Sequence, residues 1–178
     1  QNLGFAEDLN TPGSNASFLK FVSSESKELL SKELPSLINR YWGSLDQENI
    51  DTLIKSKTDE ILTVRKLIQS CTKIIITLGN TIDFYKSNPG REEIVPKFIS
   101  LSHSEDIDTR INAAARIKKT GAYMRMSTFS ETKEYIQNIY TFIRKLSPKV
   151  TIIIEKYAKI DPATANRAKM FSSSIRFL

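Results

Sequence analysis

From Ile50 to Tyr85 one side-chain pattern dominates the chain. Ile50, Ile54, Lys57, Ile61, Val64, Ile68, Cys71, Ile75, Leu78, Ile82 and Tyr85 recur in steps of four and three, with Lys57 the one polar member. Leu53, Leu67 and Ile74 widen the stripe on one flank, where a two-stranded coiled coil would carry charges. A stripe that wide predicts a helix packed against two or more neighbours. Ser44-Leu45-Asp46-Gln47 has the form of a capping box ahead of it, and Ser87-Asn88-Pro89-Gly90 is a firm stop. Unbroken, such a helix would run about 54 Å, against roughly 40 Å across a compact domain of this size. The protein is therefore elongated, or Gly79-Asn80 interrupts the helix.

The flanking sequence is read as further helices. Residues 1–22, with Gly4, Pro12, Gly13 and no sustained periodicity, suggest an extended N-terminal arm pinned by Phe18 and Phe21. Ser23 and Ser24 offer N-caps to a helix carrying Leu30, Leu34, Leu37, Ile38 and Tyr41, which Pro35 should break or bend. A weak helix is expected around Pro96, another from Ser104 to near Gly121, and a last one over 162–175. Thr128-Phe129-Ser130-Glu131 is a second capping box, opening a helix with Tyr135, Ile136, Ile139, Phe142, Ile143 and Leu146 on one face. Two β-branched runs, Ile74-Ile75-Ile76 and Val150 to Ile154, compete as strands. The first lies inside the long stripe and the second follows the helix-start signal Ser147-Pro148, so helix is expected at both. The expected fold is all-α: a bundle of five to seven helices around one long central helix. The arm (1–22) precedes a single helical domain (23–178) whose halves, 23–109 and 110–178, differ in charge.

Several chemistries have no support. Cys71 is the only cysteine of 178 residues, so no disulfide, CxxC pair or zinc knuckle forms within one chain. That favours a reducing compartment, and an intracellular location is expected, with secretion after signal removal an open alternative because the chain starts at Gln1. Asn15-Ala16-Ser17 fits the glycosylation pattern, a motif short enough to arise by chance. His103 is the only histidine and lies between serines, as an exposed loop residue would. Glu92-Glu93 and Glu105-Asp106-Asp108 fall where helix first turns are expected and the macrodipole favours acids. No phosphate-binding glycine loop occurs, and no apolar run approaches the roughly 18 residues of a membrane span. No catalytic residue, cofactor or metal site is expected.

Charge is the feature that points to a function. The chain carries a net +6, distributed unevenly. Residues 1–109 hold 12 Lys or Arg against 16 Asp or Glu, whereas residues 110–178 hold 14 against 4. From Ile111 to Ser130 there is no acid. Arg110, Arg116, Lys118, Lys119 and Arg125 would contact phosphates, Tyr123 would stack on bases, and Arg167, Lys169 and Arg176 form a second basic group. The expectation is a non-enzymatic subunit of a nucleoprotein assembly, binding RNA or single-stranded DNA through its basic half. The alternative is a structural or adaptor protein, a homo- or hetero-oligomer joined through helices, the N-terminal arm and complementary charge.

Overall fold

A computed structural model describes residues 11–26, 28–42, 46–78, 81–89, 91–99 and 119–156. In chain order the elements are α1 (Pro12–Ser23), α2 (Leu34–Trp42), α3 (Gln47–Ser70), β1 (Lys73–Leu78), β2 (Ile82–Asn88), β3 (Arg91–Ile94), β4 (Tyr123–Met126), α4 (Phe129–Leu146) and β5 (Thr151–Lys156). A π-helical turn at Leu29–Glu33 leads into α2, and a short 3-10 turn at Lys97–Ile99 follows β3. The strands form two sheets, a parallel pair β1-β5 and an antiparallel three-stranded sheet in the order β3-β2-β4. The expected all-α bundle is thus corrected to an α/β fold with five strands.

The decisive departure comes at Cys71. It closes α3 with its N–H donating to the Leu67 carbonyl, and its own backbone is extended. The next residues are β-branched, and their burial follows a period of two. Ile76, which lies off the sequence stripe, is buried, whereas stripe members Ile75 and Ile82 are exposed. The four-and-three spacing beyond Ile68 was a coincidence of two short strands with a heptad pattern. The helix is therefore 24 residues long and ends within a compact domain. The same preference turns the second run into strand from Thr151 onward, with Ser147 capping the end of α4 and not the start of a new helix. Around Pro96 the expected helix is β3 and the 3-10 turn.

The N-terminal segment is corrected too. Over its described part it is no extended arm but a helix, capped where the Thr11 side chain accepts from the Ser14 N–H, with Pro12 opening the first turn. Phe18, Leu19, Phe21 and Val22 are buried, and Phe18 and Phe21 both pack on Phe98 at ring separations of 5.3 Å. Arg65 reaches from α3 to close the other end of α1. Its Nε donates to the Val22 carbonyl at 2.7 Å, and its Nη2 to those of Phe21 and Ser24. Asn15, in the first turn of α1, donates its side-chain amide to the Thr11 carbonyl. The π turn before Pro35 lets the Leu34 N–H reach the Leu29 carbonyl, so the chain absorbs the proline without a break.

The core lies between α1, α3, α4 and the strands, with Ile61, Ile139, Ile143, Leu34 and Ile38 fully enclosed. Lys57, only 3% exposed, meets Glu60 at 3.0 Å, which is how one cation is tolerated on the stripe. Residues 104–118, His103 and the expected helix over 162–175 lie outside the described residues. Gly121 follows with φ of 82°, the left-handed geometry that favours glycine.

Candidate interaction surface

Of the residues expected to hold nucleic acid, Lys119, Tyr123 and Arg125 fall in the described part, and Arg110, Arg116, Lys118, Arg167, Lys169 and Arg176 fall outside it. Lys119 is exposed. Arg125 is on β4 and already has an anionic environment of its own. Its Nε and Nη2 donate to Glu92 Oε2 on β3 at 3.0 and 2.5 Å, and its Nη1 and Nη2 donate to the two oxygens of Glu131 at 2.9 and 2.7 Å. The guanidinium also lies 3.6 Å from the centre of the Tyr85 ring. The Tyr123 hydroxyl donates to the same Glu92 carboxylate. The two carboxylates outweigh the single cation, and a phosphate would have to displace them.

The cluster has a pH signature. The Arg125 guanidinium, opposed by partial burial and assisted by the Thr128 N–H and hydroxyl, holds Glu131 down at about 2. Because the folded value lies below the ordinary one, the stabilisation is complete above about pH 5 and is lost as pH falls toward 2. Arg125→Gln should therefore lower the melting temperature at pH 7. It should also flatten the acid-side fall between about pH 5 and 2, read by melts at pH 7, 5 and 3. An unchanged pH profile would contradict the pairing.

Beneath this cluster is a buried polar seam. Asp83 on β2 is fully enclosed and accepts from the hydroxyls of Thr11 at 2.6 Å and Ser14 at 3.0 Å. Tyr85 shares a 2.8 Å hydrogen bond with Ser127, and its hydroxyl meets that of Tyr135 at 3.5 Å. Burial, and the hydrogen bond with Tyr85, push Tyr135 well above the ordinary phenol value. These groups tie the N-terminus of α1 and the face of α4 to the antiparallel sheet. A cleft of about 630 Å³ opens beside them, lined by residues that include Lys20, Arg40, Glu33, Glu93 and Glu134. Its carboxylates outnumber its cations, and Lys20 and Glu33 approach at 3.7 Å on the exposed rim. Among the described residues no three His, Cys, Asp or Glu side chains converge as metal ligands would, and no helix is long and apolar enough to cross a membrane.

Among the described residues the parallel pair β1-β5 is a sheet of only two strands. The register sets Lys73 beside Thr151, Ile74 beside Ile152, Ile75 beside Ile153 and Ile76 beside Ile154. Residues paired across a sheet share a face, so Ile74, Ile76, Leu78 and Ile152 point to the core, which they join. Lys73, Ile75, Thr77, Thr151 and Ile153 line the other face, and Ile75 is 55% exposed. Parallel sheets are ordinarily covered on both faces, and two strands are fewer than a sheet usually has. Here one face exposes Lys73, Ile75, Thr77 and Thr151 with Ile153 half-buried, and both outer edges lack a strand among the described residues. Sequence periodicity missed this surface because it placed Ile75 in a helical core; the run Lys73-Ile74-Ile75-Ile76-Thr77-Leu78, apolar and β-branched without Gly or Pro, was the signal for it.

No family model, no curated protein and no solved structure matches this chain.

Proposed function

We propose that this protein is a non-enzymatic structural subunit that assembles with copies of itself through strand pairing. The observation that carries this reading is the two-stranded parallel ribbon, whose outer edges meet no further strand among the described residues and whose outer face exposes Ile75. An exposed apolar edge of good β-propensity is a template for strand addition, and proteins that do not use such an edge usually blunt it with charge, proline or a bulge. β1 carries a single charge, at its first residue, and no proline. Nucleic acid is not the proposed partner: Arg125 and Tyr123 already engage Glu92 and Glu131.

Sedimentation velocity from about 1 to 500 μM tests it, a range that spans weak and standard protein interfaces. The weight-average mass should rise with concentration. It should change little between 50 and 500 mM salt, because main-chain hydrogen bonds and apolar contact are screened far less than surface charge pairs. A monomer across the whole range overturns the proposal.

A further inference from the structure

We infer that β1 is the two-fold seam of a homodimer, in which the β1 strands of two copies pair antiparallel about Ile75 and join two ribbons into one sheet, β5-β1-β1-β5. The inference rests on the self-assembly reading above and names the contact that performs it. Its basis is that one set of residues carries both the exposed side chains and the unused main-chain groups.

The Thr72 carbonyl accepts from the Thr151 N–H, so the peptide groups of β1 that face β5 are those of the even-numbered residues. The groups of Lys73, Ile75 and Thr77 point outward, where no strand lies among the described residues. The side chains of the same three residues are exposed.

Symmetry then selects the register. A two-fold axis perpendicular to the sheet keeps both cores on one side, so it must pair odd residues with odd. Centred on Ile75, the pairing sets Ile75 against its own copy and Lys73 against Thr77 of the second copy. All three residues become hydrogen-bonded pairs, with about six new main-chain bonds. The most exposed isoleucine is covered, and neither ammonium group faces another cation. Centring on Ile74 or Ile76 also pairs odd with odd but leaves only two hydrogen-bonded pairs and about four bonds within the strand, and centring on Lys73 would oppose two like charges. Centring on Thr77 would set Ile75 against position 79, past the end of the strand. The outer edge of β5 offers no equivalent: the residues there with outward peptide groups, Ile152 and Ile154, turn their side chains toward the core side.

Cross-linking of single-cysteine variants reads the register. With Cys71→Ser as background, Ile75→Cys places two thiols about 5.5 Å apart at the Cα atoms, within disulfide range. Thr77→Cys places them about 14 Å apart along the strands at 3.4 Å per residue, well beyond it. Mild oxidation of the folded protein should therefore give a covalent dimer with Ile75→Cys and almost none with Thr77→Cys. Thr77→Pro deletes an outward N–H that meets no strand among the described residues, so the variant should keep its far-ultraviolet spectrum and lose association at least tenfold. Ile75→Lys does the same by charge, should the proline variant not fold. Association that persists in these variants, with no cross-link at Ile75→Cys, overturns the β1 seam and leaves self-assembly standing. A monomer at every concentration overturns both.

Discussion

Ile68→Asp is expected to leave the protein largely unfolded at room temperature, whereas Ile75→Asp, one heptad further along the same sequence stripe, is expected to melt within about 2 °C of wild type in dilute solution. Ile68 is 7% exposed on α3 and belongs to the buried cluster that includes Ile61, Val64, Ile139 and Ile143. A carboxylate there loses its water and finds no designed cation, at a cost of about 4 kcal/mol or more added to the lost apolar burial. That is most of the stability of a typical domain, about 5–15 kcal/mol. Ile75 lies on the outer face of the ribbon, where an aspartate stays hydrated and costs within about 0.5 kcal/mol. Thermal melts by circular dichroism at about 1 μM, the dilute end of the range over which association is tested, separate the two. If both variants unfold, the helix continues through position 75 and the sheet architecture is wrong.

That pair of variants also marks where periodicity stopped being informative. Through Ile68 the stripe reports a real helix, because the side chains one and two turns apart do share a buried face. The capping box at Thr128 and Glu131 was fully legible, both reciprocal hydrogen bonds being present, since a cap depends only on residues three apart. The face of α4 was legible for the same reason, Ile136, Ile139 and Ile143 all being buried. The start of α3 was legible only approximately: the cap is Asp46 and not Ser44.

What failed was everything set by distant partners. β2 owes its place to Arg125 and Met126 on β4, and to Glu93 and Ile94 on β3, pairings that local sequence does not encode. The fate of Arg125 depended on Glu92, 33 positions earlier, so a sequence count of free cations overstated what the surface offers. The cap at Thr11 with Pro12 behind it was visible in principle, being the same kind of signal as the one read at Ser147-Pro148. It was masked by the small residues Gly13, Ser14 and Ala16, which look like arm composition and serve to bring α1 close to its neighbours.

Gly13→Ala should lower the melting temperature by several degrees, although alanine is the better helix former. On propensity alone the exchange would gain up to about 1 kcal/mol, less so at the second helical position, where fraying already weakens the preference. Space decides the sign. A Cβ on Gly13 would lie 2.2 Å from Ile94 Cδ1, 2.7 Å from Asp83 Oδ2 and 3.2 Å from Tyr135 Cε2. Ile94 could swing its terminal methyl aside, but the Asp83 carboxylate is held by the Thr11 and Ser14 hydroxyls and the Tyr135 ring by its place on α4. Relief therefore means pushing α1 off the sheet, which lengthens two buried hydrogen bonds and loosens the packing of α1 on α4. Overpacking of this kind costs about 1–3 kcal/mol, and each kcal/mol is worth about 2–4 °C for a chain of this length. Ile94→Val removes the very atom that is nearest, so in the double variant part of the loss should return. The two changes should then couple by about 0.5 kcal/mol or more in a thermodynamic cycle. Simple additivity would mean that the Asp83 contact, and not Ile94, limits the approach. A Gly13→Ala protein that melts at or above wild type would mean that α1 does not lie this close to β2 and β3.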